Sequence, residues 1–232
     1  MSKTYAVIGG NTGIGLATVH RLLAAGHHVH AAARTAGPLV DLGVVVQPFD
    51  ALAPTPLAWP EKLDGLVYFP GTIVLKPFHR LTTEDFQRDY QVNVAGAIAA
   101  LQSALPALKA SGSASVVLFS TVAVAQGMPM HASIAVAKGA LEGLTRSLAA
   151  EWASLIRVNA VAPSLTDTPL AAPLLNADLK KEAAAKRHPL QRFGSADEMA
   201  GLVAHLLSDD ARFMTGQILR VDGGLSAVRT FA

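Results

Sequence analysis

The chain has no cysteine among its 232 residues, which excludes disulfides and thiolate metal sites. Charge is scarce: Asp, Glu, Lys and Arg make up 16% of the residues against 51% hydrophobic, and the formal net charge is +2. So small an excess argues against a nucleic-acid partner, and no basic stripe is visible. The apolar balance predicts surface hidden in an oligomer. No window reads as apolar enough for long enough to span a bilayer. Met1-Ser2-Lys3-Thr4 runs into an apolar stretch without the pattern of a signal peptide, so a cytoplasmic protein without a membrane partner is expected. His27, His28 and His30 lack carboxylate company and read as solvated side chains rather than metal ligands, so no metal is expected. Repeats, low-complexity tracts and linkers are also missing, which predicts one domain over 1–232.

What the chain does have is concentrated near its start. Tyr5 to Ile8 is a short apolar run, glycines follow at Gly9, Gly13 and Gly15, and Leu16, Ala17, Val19, Leu22 and Leu23 then fall at helical spacing. Strand, glycine loop and helix together offer backbone N–H groups and a helix N-terminus to a phosphate. Glycine suits such a turn because a Cβ would collide with a pyrophosphate. A bare connector carries the same glycines, so the rest of the chain has to decide.

Apolar runs alternate with helical segments to the end. The expected strands are Tyr5–Ile8, Val29–Ala33, Val44–Pro48, Gly65–Phe69, Ser115–Phe119, Arg157–Ala162 and Gln217–Val221, most of them continuously apolar, as parallel strands covered on both faces are. Expected helices span about 14–24, 83–110, 128–152 and 196–208. Ser195 with Glu198 predicts a capping box at the start of the last one. The three prolines in residues 51–62 leave room there for at most a short helix. The fold class is therefore α/β, a doubly wound parallel sheet with helices on both sides.

The spacing Gly9-x3-Gly13-x-Gly15 resembles the short-chain dehydrogenase/reductase family, and further landmarks follow in the family's order: Asp50 closing the third strand, Asn93-Val-Ala-Gly96, Lys138 within Ala-Val-Ala-Lys-Gly-Ala-Leu, Arg157-Val-Asn-Ala-Val-Ala-Pro163, Arg192-Phe-Gly, and Thr215-Gly-Gln-Ile-Leu-Arg-Val-Asp-Gly-Gly224. The match runs from residue 4 to 224. It implies a seven-stranded Rossmann-type domain, assembled as a homotetramer or homodimer. It also places a dinucleotide on Gly9, Asn11, Thr12, Gly13, Ile14, Gly15, Asp50, Gly71, Lys138, Pro163, Leu165 and Thr168. At the end of the second strand a carboxylate would hold the ribose hydroxyls of NAD, and an arginine the 2′-phosphate of NADP. Arg34 stands there without an acid beside it, and its guanidinium can fork onto a phosphate, so NADP(H) is the expected cofactor. The plainer alternative is a solvated strand-end arginine.

The resemblance breaks at the reacting end. Family catalysis uses a Tyr four residues before the Lys and a Ser thirteen before that Tyr. Here those positions hold Ile134 and Thr121. Isoleucine has no proton to give, and loss of a positioned acid costs roughly 10²–10⁴-fold in rate. Tyr68-Phe-Pro-Gly71 stands for the family's Asn-Asn-Ala-Gly, and Pro163-Ser164 for Pro-Gly. His131 lies seven residues before Lys138, where the bacterial enoyl-acyl-carrier-protein reductase branch carries its Tyr. It is either an imidazole donor or a packing residue at a helix start. Ser133 is a weaker acid. Thr121 either bonds a substrate oxygen or caps backbone. The resemblance assigns Lys138 to the nicotinamide ribose and Asn93 to a water chain. A mid-helix asparagine is unfavourable by propensity, which fits a special role.

Residues 169–191 correspond to the family's substrate lid. Their first half is apolar, as are Val122, Ala123, Val124, Met128 and Met130, which fits a small hydrophobic substrate or ordinary packing. Two readings follow. One is an NADP(H)-dependent oxidoreductase acting on a C=O, C=C or C=N bond by an altered proton route, with Lys138, Asn93, Thr121 and His131 at the reacting end. The other is an NADP-binding protein with impaired catalysis, serving as a sensor or partner subunit.

Overall fold

The computed structural model describes residues 2–230; Met1, Phe231 and Ala232 of the expected domain lie outside them. The strands are β1 (Thr4–Ile8), β2 (His28–Ala33), β3 (Val45–Pro48), β4 (Gly65–Tyr68), β5 (Ala114–Phe119), β6 (Ile156–Pro163), β7 (Thr166–Asp167), β8 (Gly194–Ser195) and β9 (Ile218–Val221). The helices are α1 (Gly13–Ala24), α2 (Thr83–Tyr90), α3 (Gly96–Ser111), α4 (Val122–Gln126), α5 (Ala132–Trp152), α6 (Asp178–Lys186) and α7 (Ala196–Leu207). Seven strands form one sheet in the order β3-β2-β1-β4-β5-β6-β9, every neighbouring pair parallel. This is the single-domain Rossmann-type architecture expected. β7 and β8 form a separate two-stranded ribbon.

Alternation along the strands splits the core in two. From β1, Ala6 and Ile8 pack on one face with Leu101 of α3 and Leu141 of α5. Tyr5 and Val7 pack on the other with Val19 and Leu22 of α1 and Val203 and Leu206 of α7. Parallel strands buried on both sides need apolar residues in both registers, which is why these runs are continuous. All seven expected strands form, with boundaries shifted by one residue at most ends.

Two expected helices are interrupted. The run 83–110 divides into α2, a π-helical turn at Gln91–Ala95, and α3. The cause is competition for carbonyls. Asn93 Nδ2 donates to the Asp89 carbonyl at 2.8 Å, and the Tyr68 hydroxyl donates to the Val92 carbonyl at 2.6 Å. The run 128–152 starts only at Ala132, because Pro129 restrains Met128 and Met130 sits at φ 66°. The short α4, capped by Thr121, was not visible in the apolar pattern. The segment Thr83–Ser111 also meets the length and apolarity of a bilayer-crossing helix, at mean hydropathy 1.2, contrary to the expectation that no window does; half of that window is buried in the protein. Its Ala97, Ala100, Leu101, Ala104 and Leu108 pack into the core.

The capping box of α7 forms as expected. Ser195 Oγ accepts from the Glu198 N–H at 3.2 Å, and a Glu198 carboxylate oxygen accepts from the Ser195 N–H at 2.9 Å. Ser195→Ala should therefore destabilise the protein by about 1 kcal/mol, read as a lower urea midpoint at unchanged slope. An unshifted midpoint would show that the cap contributes nothing.

Candidate functional site

The chain order reverses at β1, whose neighbours are β2 and β4. In a doubly wound sheet that reversal opens a crevice beyond the carboxyl ends of the strands. A cavity of about 1180 Å³ lies there. Its wall runs from the loop after β1, past the ends of β2 and β3, along the segment after β4, to α5 and the segment after β6.

At one end the loop from Gly9 to Gly15 turns into α1. Gly13 takes φ 53°, open to glycine at little cost, and a Cβ on Gly15 would run into the carbonyl oxygen of Gly9. The tightness expected for a phosphate is therefore already imposed by the backbone itself. Thr12 occupies the N-cap position of α1, but its side chain makes no capping bond. Asn11 is tied to Thr35, its Nδ2 donating to the carbonyl at 3.0 Å and to the hydroxyl at 3.1 Å. Arg34 is exposed at the end of β2, beside Ala33 on the cavity wall. Asp50 accepts from the Leu52 N–H at 3.0 Å, which shapes the turn after β3.

At the other end Lys138 is 7% exposed. Its Nζ donates to the Phe119 carbonyl at the end of β5, at 2.7 Å. Burial pushes its pKa down to about 7, and the negative charge of Asp89 works in the opposite direction. Gly71 lies against it: a Cβ there would sit 3.5 Å from Lys138 Nζ and 3.3 Å from Asn93 Oδ1. Behind Gly71, the Thr72 hydroxyl donates to Asp89 Oδ1 at 2.6 Å and accepts from Asn93 Nδ2 at 2.9 Å.

Ile134, one turn before Lys138 on α5, is 5% exposed and lines the cavity. No tyrosine does so among the described residues. Tyr68 is committed to the Val92 carbonyl, and burial raises its pKa. His131 lines the cavity at the N-cap of α5. Its Nδ1 lies 2.7 Å from the Pro129 carbonyl, which can only accept, so Nδ1 carries the proton and Nε2 is left for a ligand. Thr121 lines the cavity too, with its oxygen accepting from the Ala123 N–H at 3.3 Å. Thr168 likewise caps a turn through the Ala171 N–H at 3.3 Å.

One cavity thus unites Gly9, Asn11, Thr12, Gly13, Ile14, Gly15, Arg34, Asp50, Gly71, Thr121, His131, Lys138, Pro163, Leu165 and Thr168. Asn93 is the exception. It is fully buried and does not line the cavity, because the π turn directs its amide at Asp89 and Thr72 rather than at the open space. Sequence reasoning missed its partner Asp89, although a carboxylate four residues before an asparagine on a core-facing helix was a readable signal. It also missed His188, which is 3% exposed. His188 Nδ1 meets the Ala184 carbonyl at 2.8 Å and Nε2 meets Ser164 Oγ at 2.9 Å. That arrangement lets a neutral imidazole polarise a hydroxyl on the cavity wall. Among the described residues no cluster of His, Asp and Glu could hold a metal.

A crevice at the switch point of a seven-stranded parallel sheet, with a glycine loop at one end and a buried lysine at the other, defines a dinucleotide-binding type of protein. The family model described as enoyl-(acyl carrier protein) reductase matches residues 49–226. A tropinone reductase homolog of Arabidopsis thaliana is 37% identical, over 95% of this chain and 91% of its own. A short-chain type dehydrogenase/reductase from Mycobacterium ulcerans superposes with a TM-score of 0.90 at 30% identity, over 99% of this chain and 92% of its own. A putative NAD(P)-dependent gluconate 5-dehydrogenase from Beutenbergia cavernae, solved with bound NADP, gives 0.89 at 31% identity, over 97% of each chain. The chain belongs to the short-chain dehydrogenase/reductase family of oxidoreductases.

Asn93→Ala should orphan the Asp89 carbonyl and strip a donor from Thr72. Leaving such groups unpaired costs roughly 1–3 kcal/mol, to be read as a lower thermal midpoint. A variant as stable as the parent would remove Asn93 from the account of the π turn.

Proposed function

We propose that this chain is an NADP(H)-dependent reductase transferring hydride to a small hydrophobic C=O, C=C or C=N substrate, by a proton route that differs from the family's. The observation that carries the reading is the cavity itself, which joins an exposed arginine without an acidic partner to a buried lysine and an exposed-edge imidazole. The residues present fit the cofactor: the loop from Gly9 to Gly15 lines the cavity where α1 begins and turns too tightly for a side chain at Gly15. Thr12 makes no capping bond at the start of α1, and among the described residues Arg34 makes no ion pair. When bound, NADPH supplies the hydride.

Each residue has a chemical part in this reading. The loop from Gly9 to Gly15 holds the pyrophosphate, with Asn11, Thr12 and Ile14 shaping it. Arg34 forks onto the 2′-phosphate and sets the preference over NAD. Asp50 marks the adenine end. Lys138 donates to the nicotinamide ribose. Gly71, Pro163, Leu165 and Thr168 line the nicotinamide end. Asn93 acts only from behind, by holding Thr72 and the π turn. Residues 169–191 form a lid, whose α6 is largely exposed while Ala171 and His188 anchor it.

Ile134 takes the place of the family's phenol, so a ketone reduced here lacks its usual acid. His131 in its imidazolium form, with Nδ1–H held by Pro129, gives up its Nε2 proton instead and is left as the neutral Nδ1–H tautomer, while Thr121 hydrogen-bonds the substrate oxygen. An iminium carbon needs no proton at nitrogen on accepting hydride, and an activated enone can be protonated from water or His131. Plain ketones should react slowest. The absence of a phenol on the cavity wall also favours a second reading, in which NADPH binds and no turnover follows. In either case exposed apolar side chains such as Val136, 60% exposed, support assembly into a homodimer or homotetramer.

Fluorescence titration tests the cofactor: Arg34→Ala should weaken NADPH about 10- to 100-fold and leave NADH nearly unchanged. Equal losses for both would contradict the assignment of Arg34. Absorbance decay of NADPH with enones, cyclic imines and ketones tests the chemistry. His131→Ala should lower turnover about 10²–10⁴-fold with little change in NADPH affinity, and Ile134→Tyr should raise ketone reduction. Tight NADPH binding with no turnover anywhere would decide for the sensor.

A further inference from the structure

Lys138 is a cation placed where water is sparse, and a buried charge persists only if paired and hydrogen-bonded. Its ammonium has three donors, and one of them is used by the Phe119 carbonyl at 2.7 Å. Two buried acceptors lie unpartnered in the same region, Asp89 Oδ2 and Asn93 Oδ1. Asn93 Oδ1 and Lys138 Nζ flank the same side of Gly71.

Asp89 is fully buried on α2. Its Oδ1 takes the Thr72 hydroxyl at 2.6 Å, and its backbone carbonyl takes the Asn93 amide at 2.8 Å. Nothing about a helix packed against α5 calls for a carboxylate at this position; an aliphatic side chain would fill it without desolvating a charge. The other charged groups near Lys138 are engaged elsewhere. Glu142, one turn further along α5, accepts the Ser120 hydroxyl at 2.7 Å and faces Arg146 at 3.8 Å. His131, on the preceding turns, is held by Pro129. From β5 the lysine meets the neutral Phe119 carbonyl, and from the segment after β4 it meets the uncharged backbone of Gly71. Asp89 is tied through the Thr72 hydroxyl to the segment whose Gly71 lies against Lys138 Nζ, and its negative charge favours the ammonium form.

We propose that Asp89 is the buried counter-charge of Lys138, oriented by Thr72 and the π turn, and that it keeps the lysine cationic in the absence of ligand. This rests on the reading of Lys138 as the ribose-holding residue, and it makes Asp89 a positioning residue rather than a catalytic one. A cationic Lys138 keeps its donors for a ribose; a neutral one retains a lone pair and loses a donor. The pair also stands where a site without a phenol has no other buried charge to balance the ammonium.

The test is carried out on the ligand-free protein. Lysine is labelled with ¹³C at Cε, Lys138 is assigned by loss of its signal in Lys138→Met, and its titration is followed by NMR. In the parent the midpoint should fall near neutral pH. In Asp89→Asn it should drop by about 1–2 units, the range for losing an opposite charge at close quarters. Asp89→Glu should restore it to within a few tenths of a unit. Circular dichroism checks each fold, and Asp89→Ser serves in place of Asp89→Asn if the latter does not fold. A midpoint in the neutral variants equal to that of the parent overturns the proposal, as does a parent lysine already uncharged below pH 6. NADPH titration of the parent is read separately. Failure to bind would sink the cofactor reading while leaving the lysine midpoints to judge Asp89.

Discussion

The structure depends on holding one ammonium group in a wall that offers it little water. Lys138 rises from α5 into the crevice, and its position is set by the carbonyl at the end of β5. Everything around that contact is arranged to tolerate it. Gly71 withholds a side chain so that the nitrogen has room, and Thr72 and Asn93 order a carboxylate behind it. The helix that carries Asn93 gives up a regular turn to do so. A helix of the same length without that π turn would present its asparagine elsewhere, and the polar network would not close.

The sheet was legible because its physics is simple. Parallel strands buried on both faces need unbroken apolar runs, and β1, β5 and β6 are written that way. The glycine loop was legible because backbone crowding leaves no other residue type at Gly15. What stayed hidden depended on contacts between distant segments. The break in 83–110 comes from Tyr68 and Asn93 seizing carbonyls, and neither side chain shows its partner in the local pattern. Gly96 illustrates the coupling, since a Cβ there would collide with the Tyr68 hydroxyl. The start of α5 was misplaced because apolar periodicity runs on through Met128, Pro129 and Met130, while proline geometry and a left-handed residue end it. His188 and Ser164 meet across 24 positions of chain, a separation at which no motif spacing points from one to the other.

In the proposed reading the cavity combines a nucleotide end at the glycine loop with a reacting end at which Ile134 stands one turn before Lys138. These are separable in energy. Phosphate contacts and the glycine turn contribute binding whether or not chemistry follows, whereas a positioned proton donor contributes only in the transition state. A chain can therefore keep its fold and its grip on a dinucleotide while its preferred electrophile changes. Ile134 marks that boundary in this protein: it is a buried aliphatic residue on the cavity wall one turn before Lys138.

The central claim is that a 2′-phosphorylated nicotinamide dinucleotide occupies this crevice. A crystal structure of the protein with NADPH tests it most directly. The account predicts the 2′-phosphate against Arg34, the pyrophosphate over the Gly9–Gly15 loop and a ribose hydroxyl on Lys138. A structure at saturating NADPH with the nucleotide elsewhere, or with Arg34 turned away and the 2′-phosphate in solvent, would contradict it.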